Sequence, residues 1–132
     1  LQGFLHYAGS IRYQYEVNCS VREAGQVYLE LQAYEAVCAG VTVNGHRIEV
    51  PWRAASLLNI TGLLQDGRNR LVVEVTGSPR NLFGPFHLSG RKRSVTNDQC
   101  FRTEGGEYTE EYQVVPYGLM QPPRLYGRKE SV

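Results

Sequence analysis

The sequence is poor in the features that announce a membrane, a metal or a nucleic acid. No run of about eighteen apolar residues occurs, so no helical membrane span is expected. Nothing at the start reads as a charged segment followed by an apolar one, so no signal peptide is expected either. The first residue is Leu1 rather than Met, and the chain is expected to be a piece of a longer protein. Charge of one sign is not in excess: 14 basic residues face 13 acidic ones, a formal net charge of +1. A nucleic-acid-binding domain normally carries a large basic surplus, so no nucleic-acid partner is expected. The one dense basic run, Arg91-Lys92-Arg93, sits between Gly90 and Ser94 and reads as a solvated loop.

Cysteine is scarce as well. The three present, Cys19, Cys38 and Cys100, are odd in number and show no C-x-x-C spacing. That argues against a disulfide framework and against structural zinc. Cys38 lies in an apolar run and is expected to be a buried thiol, while a Cys19–Cys100 bridge stays open. At 132 residues the chain has the size of one domain, and about two-thirds of its surface would be buried on folding. A core of that size needs no bridge or metal.

No long stretch with a 3.6-residue period is found; the prevailing period is two. Ile11, Tyr13, Tyr15 and Val17 alternate with Arg12, Gln14 and Glu16, the pattern of a strand with one wet face. After a turn at Glu23-Ala24-Gly25, Val27, Leu29 and Leu31 repeat it. Val37, Ala39, Val41 and Val43 make a third strand, closed by Asn44-Gly45. Both residues of that pair tolerate positive φ, the requirement of a type I′ hairpin turn. Ile48, Val50 and Trp52 return as the partner, and Pro51 confines that strand to an edge or ends it. A helical turn is predicted near Leu63, with Thr61 capping it through its hydroxyl. Gly67 and Asn69 permit a tight bend into the strand of Leu71, Val73 and Val75. Residues 78–106 are irregular, and a loop of that length is usually functional. Strand character resumes from Tyr108 to Val115, Leu119 to Leu125 closes the sheet, and Gly127 to Val132 is a frayed tail. The expected fold is one all-β, antiparallel two-sheet sandwich over residues 1–132. Ile11, Tyr13, Leu29, Val41, Val43, Val73 and Val75 should lie between its sheets.

An ordered set of motifs runs through this pattern. Val41-Thr-Val-Asn-Gly-His46 is followed by Trp52, then by Leu58-Asn-Ile-Thr-Gly-Leu-Leu64, Asp66-Gly-Arg-Asn69 and Leu71-Val-Val-Glu-Val75. Tyr7-Ala-Gly-Ser-Ile-Arg-Tyr13 precedes them, Asn81-Leu-Phe-Gly-Pro-Phe-His87 follows, and Tyr117-Gly-Leu119 comes last. From about residue 7 to 87 this order resembles the sugar-binding domain of glycoside hydrolase family 2 and related rhamnosidase-like enzymes. The resemblance implies a galactose-binding-like jelly roll that accompanies a separate catalytic domain. It also implies a secreted or periplasmic setting, and places the glycoside-cleaving carboxylates outside this domain.

The residues themselves offer little catalytic chemistry. Glycoside hydrolysis needs two carboxylates held across a sugar-sized cleft. Glu104, Glu107, Glu110 and Glu111 cluster in a Gly-rich polar stretch, and Glu30, Glu49 and Glu74 fall on wet strand faces. His6, His46 and His87 with Asp66 and Asp98 have neither zinc-ligand spacing nor a G-x-S-x-G nucleophile elbow. A structural calcium would draw on Asn97, Asp98 and the region of Glu107; otherwise no cofactor is expected. Aromatics carry more information. Sugar rings stack on flat apolar faces while Arg, Asn and Asp side chains hold their hydroxyls. Trp52 with Arg53, and Arg80, Asn81 and His87, are therefore the candidate ligand-binding residues; Trp52 could equally pack under the hairpin. Leu82, Phe83 and Phe86 lie outside any alternating strand, beside the rigid bend expected at Gly84-Pro85, and read as an interface for a neighbouring domain. The function expected is that of a non-catalytic accessory domain whose partner is the catalytic domain of the same parent chain, with glycan as a further ligand. The alternative is a free-standing carbohydrate- or protein-binding sandwich.

Overall fold

The computed structural model describes residues 5–50, 57–89 and 97–128. Contacts group the chain into two compact units, one formed by residues 10–77 and 117–132, the other by residues 1–9 and 78–116. All nine strands among the described residues belong to the first unit: β1 Ser10–Cys19, β2 Gln26–Glu30, β3 Tyr34–Glu35, β4 Cys38–Val43, β5 His46–Glu49, β6 Leu57–Asn59, β7 Gly67–Thr76, β8 Gly118–Leu119 and β9 Arg124–Arg128. They form antiparallel sheets ordered β1-β7-β4-β5, β6-β2-β9 and β3-β8. The architecture is all-β.

Alternation builds the core. On β7, Asn69, Leu71, Val73 and Val75 point inward, and the register sets Val73 between Tyr13 of β1 and Val41 of β4. The inner face of β2 supplies Val27 and Leu29, which join the same cluster from the second sheet. Leu29, Ile60, Val41, Val43, Val73 and Val75 are fully buried. Each contributes about 1.5–3 kcal/mol by leaving water. This is a sandwich of two sheets. Of the residues expected inside, Ile11 and Tyr13 are only half-buried. They lie on β1, an edge strand, which has a neighbour on one side only.

Several local expectations are corrected. Cys38 is exposed, not buried, and all three cysteines are free thiols. Parity explains it: with Ala39, Val41 and Val43 facing in, Cys38 must face out. Val37 is exposed too, because β4 begins one residue later. The Thr61 hydroxyl does not cap its own turn; it accepts the Val27 amide at 2.8 Å and so fastens the Thr61–Leu63 turn to β2. Tyr108 to Val115 forms no strand, only a bridge between Tyr108 and Leu88. As the sequence predicts, β5 is an edge strand and ends at Glu49, before Pro51.

The largest surprise is Asn69. It is 1% exposed, at an inward position of β7. Its Oδ1 accepts from Asn44 Nδ2 at 2.7 Å and from the Gln65 amide at 2.9 Å. Its Nδ2 donates to the carbonyls of Gln65 and Gly67, at 2.8 and 3.0 Å, and approaches Cys19 Sγ at 3.2 Å. Asn44 in turn donates to the Leu63 carbonyl and accepts the Arg70 amide, both at 2.9 Å. One buried amide thus joins the end of β1, the β4–β5 turn, the 63–67 loop and the start of β7.

The outer face of the four-stranded sheet is ionic. Arg12 and Arg47 both reach Glu74, and Arg47 also bonds Glu49 at 2.7 Å. Arg47 crosses β4 over Gly40, where a Cβ would stand 2.9 Å from its Nη2. The Arg12 guanidinium, seconded by Arg47, holds the Glu74 carboxyl below the usual carboxylate range. Such solvated pairs contribute at most about 1 kcal/mol each.

Two stability outcomes follow. Asn69→Ala should destabilise the chain by about 1–3 kcal/mol in urea unfolding, since it removes the hydrogen bonds that tie Asn44, Gln65 and Gly67 to one point. A loss below about 1 kcal/mol would show that water replaces the amide. At the hairpin, Asn44 has φ 49° and Gly45 φ 90°, as a type I′ turn requires. A Cβ on Gly45 meets nothing within 4 Å, so Gly45→Val should cost about 1 kcal/mol or more from backbone strain alone. An unchanged melting temperature would contradict that.

Candidate functional site

The second unit holds most of the candidate residues, and it is ordered by side chains rather than by a sheet. After Ser78-Pro79 the chain makes one helical turn, α1 Val21–Ala24 having its counterpart here in α2 Arg80–Phe83. Gly84 follows at φ 81°, then a cis peptide to Pro85, so the predicted bend is present. Asn81 is 5% exposed. Its Nδ2 donates to the Val115 carbonyl at 2.8 Å and its Oδ1 accepts the Val115 amide at 2.9 Å. The side chain therefore acts as a strand of one residue. Beyond the bend the backbone continues the ladder: Gln113 donates to the Phe86 carbonyl at 2.6 Å, Thr109 to His87 at 2.9 Å, and Ser89 to Glu107 at 2.7 Å.

Residues 110–112 loop out of this ladder, and Tyr112 folds back over it. Its ring stacks on Phe86 at 4.7 Å and meets His87 edge-on at 5.5 Å. His6 completes the cluster, edge-on to both Phe86 and Tyr112, at 5.7 and 5.9 Å. Its Nδ1 donates to the Asn81 carbonyl at 2.9 Å. His87 Nδ1 donates to the Thr109 carbonyl at 3.0 Å.

Beside His87 lies a polar cleft of about 150 Å³, lined also by Gln99, Arg102, Glu104, Glu107 and Tyr108. Ligand pockets usually measure about 300–1,000 Å³. This one could take a single small polar group. Among the described residues no cluster of three or more His, Cys, Asp or Glu is placed to hold a metal ion. Of the calcium candidates, Asn97 is engaged: its Oδ1 accepts the Cys100 thiol at 3.3 Å.

The sequence-predicted residues part ways here. Trp52 and Arg53 lie outside the described residues. Asn81, expected to hold a ligand, has its amide consumed by Val115 and is structural. Arg80 is half-buried, with Nη1 out of contact with water and without a hydrogen-bond partner among the described residues. His87 does line a cleft. Leu82 and Phe83 are exposed, at 46% and 70%, whereas Phe86 is half-buried against Tyr112. His6 and Tyr112 were not legible as site residues. Their partners are about 80 and 26 positions away in sequence for His6–Phe86 and Phe86–Tyr112, beyond the reach of any periodic pattern.

No family model and no curated protein matches the sequence. Solved structures do. A rhamnosidase from Novosphingobium sp. PP1Y is similar with a TM-score of 0.64 and 24% identity, over 91% of this chain and 11% of that one. A protein described as a β-galactosidase from Bacteroides fragilis is similar with a TM-score of 0.53 and 20% identity, over 90% of this chain and 15% of that one. At these identities the likeness establishes the fold. The chain spans only a small part of each of those proteins.

The amide clamp has a direct test. Asn81→Ala should expose the 108–115 segment to proteolysis and lower stability by about 1–3 kcal/mol, because the Val115 amide and carbonyl both lose their Asn81 side-chain partners. Asn81→Asp can accept but not donate, and should recover only part of the loss. Cleavage of Asn81→Ala at the parental rate would show that the segment is held by other contacts.

Proposed function

We propose that this chain is a non-catalytic accessory domain of a larger glycoside hydrolase, a galactose-binding-like jelly roll that packs on the catalytic domain of the same parent chain. The observation that carries the reading is the exposure of Leu82 and Phe83 side by side on one turn. The turn is tied to Val115 through the Asn81 side chain. Leu82 and Phe83, 46% and 70% exposed on adjacent positions, offer a neighbouring domain an apolar contact. The fold supports the reading, since the rhamnosidase and the β-galactosidase each carry it within a chain many times longer. The cleft supports the non-catalytic part. Glu104 and Glu107 share it with Arg102, and its volume is too small for two carboxylates to flank a sugar.

His87 favours a second reading, in which the domain also holds a glycan. Its Nδ1 is fixed on Thr109, and its ring borders the cleft and packs against Tyr108 at 5.8 Å.

The two readings separate by mutation. Leu82→Ala with Phe83→Ala should leave the melting temperature of this chain nearly unchanged, and should speed limited proteolysis at the domain junction of the parent protein. His87→Ala should leave that junction intact and weaken glycan binding by the isolated chain, by about 1–3 kcal/mol for a lost polar contact. A parental junction indifferent to the double variant would remove the accessory reading.

A further inference from the structure

The outer face of the three-stranded sheet carries a separate feature. Val27 and Leu29 of β2 face the core, so Gln26, Tyr28 and Glu30 face out. Leu125 of β9 packs inward, so Arg124, Tyr126 and Arg128 face out beside them. The register sets Tyr126 directly opposite Tyr28, Arg124 opposite Glu30, and Arg128 opposite Gln26. The result is a pair of tyrosines on adjacent strands, with an arginine two residues along β9, about 7 Å by backbone rise, on either side of Tyr126.

The rings are held. Tyr28 Oη donates to Gln26 Oε1 at 2.8 Å, and Tyr126 Oη to Glu30 Oε2 at 2.7 Å. Each hydroxyl is tied to a side chain of the same face, which keeps the ring from swinging into solvent. Tyr126 is nonetheless 43% exposed. Neither arginine forms an ion pair among the described residues. Arg124 faces Glu30 in register, yet the Glu30 carboxylate takes Tyr126 and Gln32 instead.

We infer that this face binds an acidic oligosaccharide, with pyranose rings stacked on Tyr28 and Tyr126 and uronate carboxylates paired with Arg124 and Arg128. Charge complementarity selects the occupant. Among the described residues the face has two unpaired cations against one carboxylate already engaged. Guanidinium groups match carboxylates bidentately, and an aromatic pair offers the apolar faces that sugar C–H surfaces cover. Aliphatic surface is sparse here: among the described residues of this face, Leu57 at its margin is the exposed aliphatic. The assignment does not rest on the role proposed for Leu82 and Phe83.

The 132-residue chain, titrated with a short oligogalacturonide and followed by NMR, should show saturable shifts confined to β2 and β9. Tyr126→Ala should weaken binding about tenfold, the equivalent of about 1.4 kcal/mol. Arg124→Gln with Arg128→Gln should weaken it at least as much and abolish its salt dependence. A neutral galacto-oligosaccharide of equal length should bind at least about tenfold less tightly. Tyr126→Phe, which loses only the bond to Glu30, should retain most of the affinity, and this separates stacking from any loss of fold. Absence of saturable shifts, equal affinity for the neutral sugar, or affinity unchanged in the arginine variants would overturn the inference. So would concentration-dependent self-association abolished by Tyr126→Ala, since a second copy would then be the occupant.

Discussion

The buried side-chain amide of Asn69 organises the sandwich. A neutral amide in an apolar core is tolerable only when its donors and acceptors are all met, and the partners here are backbone groups of the 65–67 loop together with the side chains of Asn44 and Cys19. Each partner constrains the others. The 63–67 loop must present two carbonyls and an amide to one point, and the β4–β5 turn must deliver Asn44 to the same place. Asn44 can do so because it adopts the left-handed conformation that the hairpin also demands. The turn residue and the buried network therefore select the same backbone, and this agreement between local and global preference is what makes a fold unique.

The second unit uses the same device where no sheet is available. Asn81 presents donor and acceptor to Val115 as a neighbouring strand would, and the amides beyond it pair as a short ladder. The side-chain amide substitutes for regular structure through a stretch with too many Gly, Pro and polar residues to form a strand. The aromatic cluster of His6, Phe86 and Tyr112 then fills the space above the ladder. A loop stabilised in this way can display large apolar groups without collapsing around them. That property is what gives Phe83 its meaning.

The two outer sheet faces show how identical backbone geometry carries different surfaces. On the four-stranded sheet, opposite charges meet across strands and satisfy one another through Glu74. On the three-stranded sheet, aromatic side chains intervene, and the carboxylate is diverted to hydroxyl and amide donors while the arginines form no ion pair among the described residues. One face pairs its charges across strands, and the other ties its carboxylate to neutral donors.

Much of the sandwich was legible in the sequence. A period of two has one structural meaning when one face is buried, so β1, β2, β4, β5 and β7, the Asn44-Gly45 turn and the buried valines could be read from local pattern alone. The same parity would have placed Cys38 outside and Asn69 inside, had it been followed through residues whose chemistry suggested otherwise. Tyr28 and Tyr126 share a face because β9 returns beside β2, and Phe86 meets Tyr112 and His6 because three distant segments converge. Asn81 reads as a ligand-holding amide until Val115 is seen to occupy it. Sequence determines which way a side chain points from its own strand, because that is local stereochemistry. Only the tertiary structure decides what stands opposite, because chain segments distant in sequence must first be brought together, and the partner found there settles whether a polar group is spent on the fold or kept for a ligand.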